Sequence, residues 1–429
     1  MKKQTIHNII MGLLTLLSGY LYAIANSEPT IPKIVIKELP KLDNKFEEQQ
    51  ALKYLNNLRI GAGLIPLNIN KTLNRATKNH AHYLIENKTI GHQEQVALTG
   101  YSGEYASNRS IKEGYHTPLL IENVSSNNHS YKESIDGLMA AIYHRFAFLD
   151  FRINEIGIAV NQNKKIRENT AYVYNLGNSE LNKLCKDAPL NSNKNQLQNI
   201  CANKYLKIED EQFYQALNAN HRKNQPIIIY PFNQQEGVTP AFYEELPDPL
   251  PNHSVSGFPI SIAFNETAFE KIELQSFKLF DQKKQEVKET IFFTQKSDPN
   301  KMLKKFEFVL FPLKRLEWNQ QYHVEVIYLE NGIKKEKQWS FKTKNFTEPF
   351  YTVEENKAYM IENNVENIFY FPPLSQKDIL GSFSYPAYLD ISFVDKNTIK
   401  LMATKIPNRP ITLLFGRHHL TLLIKSKKN

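Results

Sequence analysis

The residues that could do chemistry approach the standard catalytic signatures without completing one. Gly100-Tyr101-Ser102-Gly103 is one residue short of the Gly-x-Ser-x-Gly elbow that exposes a nucleophilic serine. The chain has no His-Glu-x-x-His run, no Walker loop and no dinucleotide-binding glycine fingerprint. Its 2 cysteines are Cys185 and Cys201. In an oxidising compartment such an isolated pair is expected to be a disulfide, and two free buried thiols are the alternative. A bridge there would close a loop contributing about 3 kcal/mol in the chain-entropy model. Two cysteines without suitably spaced histidines make no structural zinc site.

The elements that must position any site divide the chain by texture. A helix is expected from Asn44, capped by that residue with Glu47 reaching back, with Phe46, Ala51, Leu55 and Leu58 as apolar positions and Gly61 and Gly63 as stops. A second runs from about Asn70 to Asn87, with Leu73, Ala76, His80 and Leu84 on one face. That placement makes His80 a hydrogen-bonded core histidine rather than a ligand. A short helix spans Asn108 to Glu113. A fourth starts at Ser130, with Glu133 in capping-box position, and carries Ile135, Leu138, Met139 and Ile142. Strands are expected at Glu155–Val160 and Ala171–Leu176. Helices followed by strands predict an α+β layered domain.

Residues 179–225 are polar, hold the cysteine pair and read as helical turns and linker. From Ile227 the texture becomes β. Ile260, Ile262 and Phe264 alternate, as do Phe306, Phe308 and Leu310, Tyr322 to Tyr328, and Trp339 to Thr343. Asn331-Gly332 is a hairpin-turn signal, and the whole predicts a β-sandwich. Residues 347–429 continue β-rich, with Ile411–Phe415 facing Leu420–Ile424 across Gly416-Arg417.

At 429 residues the chain is expected to hold several folded units. Its net charge is +9 with both signs interspersed, and no clustered basic patch or known module points to nucleic acid. Residues 1–25 read as a cleaved signal peptide: Lys2 and Lys3, an apolar run from Ile9 to Leu21, then Ala23-Ile24-Ala25. The alternative is an uncleaved anchor. No later run is long enough to span a bilayer. A Pro-bearing linker fills 26–44. The expected location is secreted or periplasmic, and the mature chain is not expected to be an integral membrane protein.

Landmarks between 45 and 178 resemble one known family. Leu55-Asn56-Asn57-Leu58-Arg59 with Leu64-Ile65-Pro66-Leu67, then Ala76 to His80, Gly91-His92, Ile121-Glu122-Asn123-Val124, Tyr143-His144-Arg145, Leu149-Asp150 and Glu155-Ile156-Gly157-Ile158 stand in the order of the CAP (SCP-like) superfamily, in its bacterial form. Ile121 and Tyr143 replace glycines usual in that family. Tyr230-Pro231, Val238-Thr239-Pro240, Leu246 to Pro251 and Gly257-Phe258-Pro259 resemble the linker that leads into an Ig-like domain in large bacterial members. The residues themselves give a disulfide-containing linker at 179–225 and a β-rich region at 347–429; the resemblance implies a CAP α-β-α sandwich at 45–178 and an Ig-like β-sandwich at 226–346.

It also implies a cleft lined by His92, Glu104, Glu122 and His144. Two imidazoles and two carboxylates suit zinc or another divalent cation, with His92, His144 and Glu122 as the expected ligands. The same groups suit general acid–base work, or a buried network that only orders the fold. The function expected is an exported protein binding a small ligand, lipid, envelope component or divalent metal in this cleft, with the β modules serving adhesion or positioning. A cell-envelope hydrolase using the same cleft is the alternative, as is a surface interaction protein with a vestigial cleft.

Overall fold

The computed structural model describes residues 40–187, 196–381 and 383–427; the expected signal segment lies outside them. The described residues divide into two compact units, one holding 40–347 with 372–379, the other 348–371 and 380–427.

The first unit begins with α1 (Asn44–Ala62), β1 (Asn68–Ile69), α2 (Lys71–Asn87), α3 (Ala106–Lys112), β2 (Ile121–Ser126), α4 (Tyr131–Ala140), α5 (Ile142–Phe148), β3 (Glu155–Gln162) and β4 (Thr170–Gly177). The strands form one sheet in the order β1-β3-β4-β2. Side chains alternate across it, as strand geometry dictates. Ile156, Ile158, Val160, Tyr172, Tyr174 and Leu176 bury one face against Ala51, Leu55 and Leu58 of α1 and Ile135, Leu138 and Met139 of α4. Ala159, Ala171 and Val173 bury the other against Ala81, Tyr83 and Leu84 of α2. This is the expected helix–sheet–helix sandwich. Gly157 sits where α2 crosses β3: a Cβ there would lie 2.3 Å from the Leu73 carbonyl carbon.

Local chemistry explains the helix ends. Asn70 caps α2 by accepting from Thr72 and Leu73 N–H, and Ser130 caps α4 through Glu133 N–H. At α1 the cap is Asp43 rather than Asn44, and Gly63 closes the helix in the left-handed region at φ 98°. Glu47 does not reach back. Its carboxylate is buried and accepts from the Tyr172 hydroxyl at 3.1 Å and from Tyr131 N–H. The fourth helix is broken at Ala141, whose ψ of 115° is extended, so Ile142 begins a new helix.

α6 (Ser179–Asp187) and α7 (Asp210–Asn218) flank the disulfide Cys185–Cys201, with Cα atoms 5.3 Å apart. This disulfide-bonded segment grips the chain entering β2: Ala202 N–H donates to His116 O and Thr117 Oγ1 to Ile200 O, each at 2.8 Å.

Two four-stranded sheets follow. One contains Ile227–Tyr230, Ile260–Phe264, Thr290–Phe293 and Glu307–Pro312; the other Gln235–Val238, Ile272–Phe280, Gln321–Glu330 and Ile333–Thr343. Phe264 meets Tyr328, and Phe277 meets Phe292 and Trp339, so the sheets share one sandwich core. Asn331 and Gly332 take φ 50° and 85° at the hairpin tip, as the turn signal requires. That core is continuous with the one beneath α1 and α4. The triplet on α5 lies at the seam. Tyr143 donates its hydroxyl to Asp298, and Arg145, fully buried, donates to Ser261 Oγ at 3.1 Å beneath the rings of Tyr230 and Phe258. Tyr143 in place of glycine thus has a structural use.

A second seam contact links Asp150 to Lys304 Nζ at 2.7 Å, with Arg152 and Glu307 beside it. Burial pushes the Glu307 carboxyl up to about 7 from an ordinary 4.5, with Lys304 pulling it down. Between those values the folded chain keeps a proton that the unfolded chain has released, so this contribution to stability is lost as pH rises through about 7. Asp150 is shifted the other way. Burial raises its carboxyl, Lys304 and Arg152 outweigh burial, and its window lies at more acid pH. Wild type should therefore lose about 2–3 kcal/mol between about pH 5 and pH 8 relative to Glu307→Gln. Urea midpoints across that range test it; parallel curves for the two chains would refute it.

In the second unit, Phe350–Thr352, Asn367–Tyr370, Leu389–Asp395 and Thr398–Ala403 form a four-stranded sheet, and Ala358–Glu362, Ile411–Phe415 and His418–Lys425 a three-stranded one. The hairpin across Gly416-Arg417 forms as expected, with Phe415 opposite His418.

Candidate functional site

The site grows from the edge of the first sheet. β2 is an edge strand, and Glu122 stands opposite Asn175 in its pairing with β4. Arg109 of α3, fully buried, donates to both Glu122 oxygens at 2.9 and 2.8 Å. Arg109 Nη1 also donates to the carbonyls of Gly103 and Glu104, which ties the loop before α3 to the same cation.

Beneath this pair lies a second one. His80 projects from α2 with no exposed surface; its Nδ1 lies 2.9 Å from Glu94 and its Nε2 3.0 Å from the Gly91 carbonyl. Each ring nitrogen thus faces an acceptor oxygen. Glu94 also accepts from the N–H and hydroxyl of Ser102 and from Gly103 N–H. Ser102 is thereby a buried hydrogen-bond donor. Burial raises the carboxyls of Glu94 and Glu122, but their hydrogen-bonding and charged partners outweigh it. For Glu94 these are His80, Ser102 and Arg109; for Glu122 they are His92, Arg109 and His80. Both carboxyls are held below the usual range and remain charged near neutrality.

Above this layer are the cleft histidines. His92, half exposed, turns Nδ1 to Glu122 at 3.1 Å. His144 of α5, less exposed, turns Nδ1 to Glu245 at 3.2 Å. The two rings are 6.5 Å apart and nearly parallel, at 17°. A carboxylate only accepts, so a neutral ring that turns Nδ1 to one carries its proton there and its lone pair on Nε2.

Three of the four residues expected in the cleft, His92, Glu122 and His144, therefore come together. Glu104 does not join them at the buried layer. It is exposed, bonds the Tyr105 hydroxyl, and shares with His92, Thr89, Gln93 and Tyr101 an open hollow of ≈ 680 Å³. Glu122 has both oxygens engaged by Arg109 and His92. Among the described residues no three His, Cys, Asp or Glu side chains form a metal-ligand group.

Sequence reasoning missed Arg109, Glu94 and Glu245. Arg109 is the one arginine of α3, and Glu94 follows His92 by two residues, which are weak signals. Glu245 sits in Tyr243-Glu244-Glu245-Leu246-Pro247, which reads as an acidic exposed linker. Burial raises its carboxyl, while His144 and the N–H groups of Ile142 and Tyr143 pull it down.

Among the described residues no helix is long and apolar enough to cross a membrane. Comparison with curated proteins found no match. Among solved structures, the chain is similar to an outer surface protein from Borrelia burgdorferi, at 22% identity over 33% of this chain and 98% of that one, with a TM-score of 0.28. It is also similar to an extracellular protein containing an SCP domain from Bacillus anthracis, at 15% identity over 32% of this chain and 44% of that one, TM-score 0.28. The family model for the cysteine-rich secretory protein family, CAP, matches residues 52–176. Those residues, from within α1 to the end of β4 and containing the His92–Glu122–His144 cleft, are a CAP domain of that family.

Proposed function

We propose that the protein is exported and binds a divalent cation, zinc foremost, through the Nε2 atoms of His92 and His144. The observation that carries this reading is the pair of near-parallel imidazoles, each with Nδ1 on a buried carboxylate. Metal-binding histidines characteristically donate their second ring nitrogen to a carboxylate, which fixes the tautomer and raises ligand basicity. Two imidazoles supply protein ligands, and the remaining positions are left to water or to a bound molecule in the adjoining hollow. On this reading Glu122 supports His92 rather than ligating the metal, and Glu104 lies at the mouth. The disulfide agrees with an oxidising compartment, as does the expected signal at residues 1–25.

Calorimetric titration of zinc into the full chain tests the proposal. Uptake is expected at about pH 7.5 and weaker uptake at about pH 5.5, because protons compete for the same lone pairs. His144→Ala should lose more than about a hundredfold in affinity, since it removes a ligand rather than a ligand's support. No uptake by wild type at either pH would end the metal reading. Hydrolysis of an envelope substrate that survives chelation but is lost in His144→Ala would favour acid–base chemistry instead.

A further inference from the structure

The cleft is not completed by the CAP domain alone. One of its two imidazoles is backed from within, by Glu122 on β2. The other is backed by Glu245, which lies more than a hundred residues further along the chain, beyond the start of the β-sandwich. We infer that Glu245 is the positioning residue of His144: it sets the tautomer and the direction of that ring, so that the metal-binding competence of the cleft depends on the docked β-sandwich region. The inference rests on the metal reading for its affinity readout, but not for its spectroscopic one.

Three observations converge on Glu245. Its side chain has only 1% of its surface exposed, so its carboxylate belongs to the interior rather than to a solvated linker. One oxygen accepts from Ile142 N–H at 2.7 Å, and the other from Tyr143 N–H at 3.2 Å and His144 Nδ1 at 3.2 Å. These are the first residues after the break at Ala141, so the same carboxylate fixes both the start of α5 and the ring that α5 carries. On either side of His144, Tyr143 and Arg145 also bind the sandwich region, through Asp298 and Ser261. All three residues of the Tyr-His-Arg triplet are thus oriented from outside the CAP domain. An imidazole released from Glu245 would be free to carry its proton on either nitrogen, and a proton on Nε2 blocks metal binding there.

The test uses the full chain with Glu245→Gln, and Asp298→Asn as a control that loosens the same seam without touching His144. The amide of Glu245→Gln still fills the space but turns a donor toward one of the three groups that the carboxylate accepted from. Zinc affinity should fall about ten- to a hundredfold in Glu245→Gln, with the circular dichroism of wild type retained, and should stay unchanged in Asp298→Asn. Ring-nitrogen NMR should show His144 protonated on Nδ1 in wild type and mixed between tautomers in Glu245→Gln. A folded Glu245→Gln chain with wild-type affinity and an unchanged His144 tautomer would overturn the inference, as would an equal affinity loss in Asp298→Asn. If wild type binds no zinc, the metal reading fails by itself. The tautomer then decides: a shift in Glu245→Gln upholds the positioning role, and no shift removes it.

Discussion

Arg59→Met is expected to lower the stability of the unit that contains the CAP domain by about 5 kcal/mol, a large share of what holds an ordinary domain folded. Arg59 emerges from the last turn of α1 and is fully buried. Its guanidinium donates to four carbonyls: Ile65 at 3.0 Å, Asp150 at 3.4 Å, Ile153 at 3.3 Å and Phe148. Burial lowers its pKa to about 9, with Asp150 pulling it up, so it stays cationic at neutral pH. Those carbonyls belong to the loop after α1 and to the segment joining α5 to β3. One side chain therefore closes two loops that have no ladder of their own. Methionine would fill the volume and satisfy none of the acceptors, each of which costs about 1–3 kcal/mol when stranded. Chemical denaturation reads the loss. A change under about 1 kcal/mol would mean that the loops find other donors or water.

Arg109→Met should cost about 3–5 kcal/mol, for a different reason. It removes one of the two buried bases, Arg109 and His80, that face two buried acids, leaving Glu122 and Glu94 with His80, the half-exposed His92 and the neutral donors of Ser102 and Gly103. The penalty is that of an uncompensated buried charge, not of a lost contact. The double variant Arg109→Met/Glu122→Gln should therefore recover stability relative to the single one, and that sign is the decisive feature. If the two losses simply add, the network is not a charge-balanced unit.

Much of this was legible because the signals are local. Asn70 and Ser130 cap the helices that follow them, and residues 155–160 and 171–176 are nearly continuous apolar runs because helices cover both faces of their sheet. His80 was readable as a core histidine because helical periodicity alone puts it under the apolar face. What stayed hidden is set by distant partners. β2 reads Ile-Glu-Asn-Val-Ser-Ser, without clean apolar alternation, because its inward positions carry an ion pair and Asn123, whose side chain donates to the His144 carbonyl. The break at Ala141 is invisible because Ile135, Leu138, Met139 and Ile142 keep helical spacing straight across it. It is stabilised by Glu245 and by Arg145 donating to the Met139 carbonyl at 2.6 Å. The family resemblance alone puts Glu104 in the cleft, whereas the buried acid of that loop is Glu94, tied down by Ser102 and His80.

The account depends most on what the two cleft imidazoles do, and X-ray absorption spectroscopy of the zinc-loaded full chain observes that directly. Two imidazole nitrogens at about 2.0–2.1 Å are expected in the zinc shell, the rest being oxygen, and one imidazole should vanish in His144→Ala. A shell with no imidazole, or one that is unchanged in both His92→Ala and His144→Ala, would contradict the account.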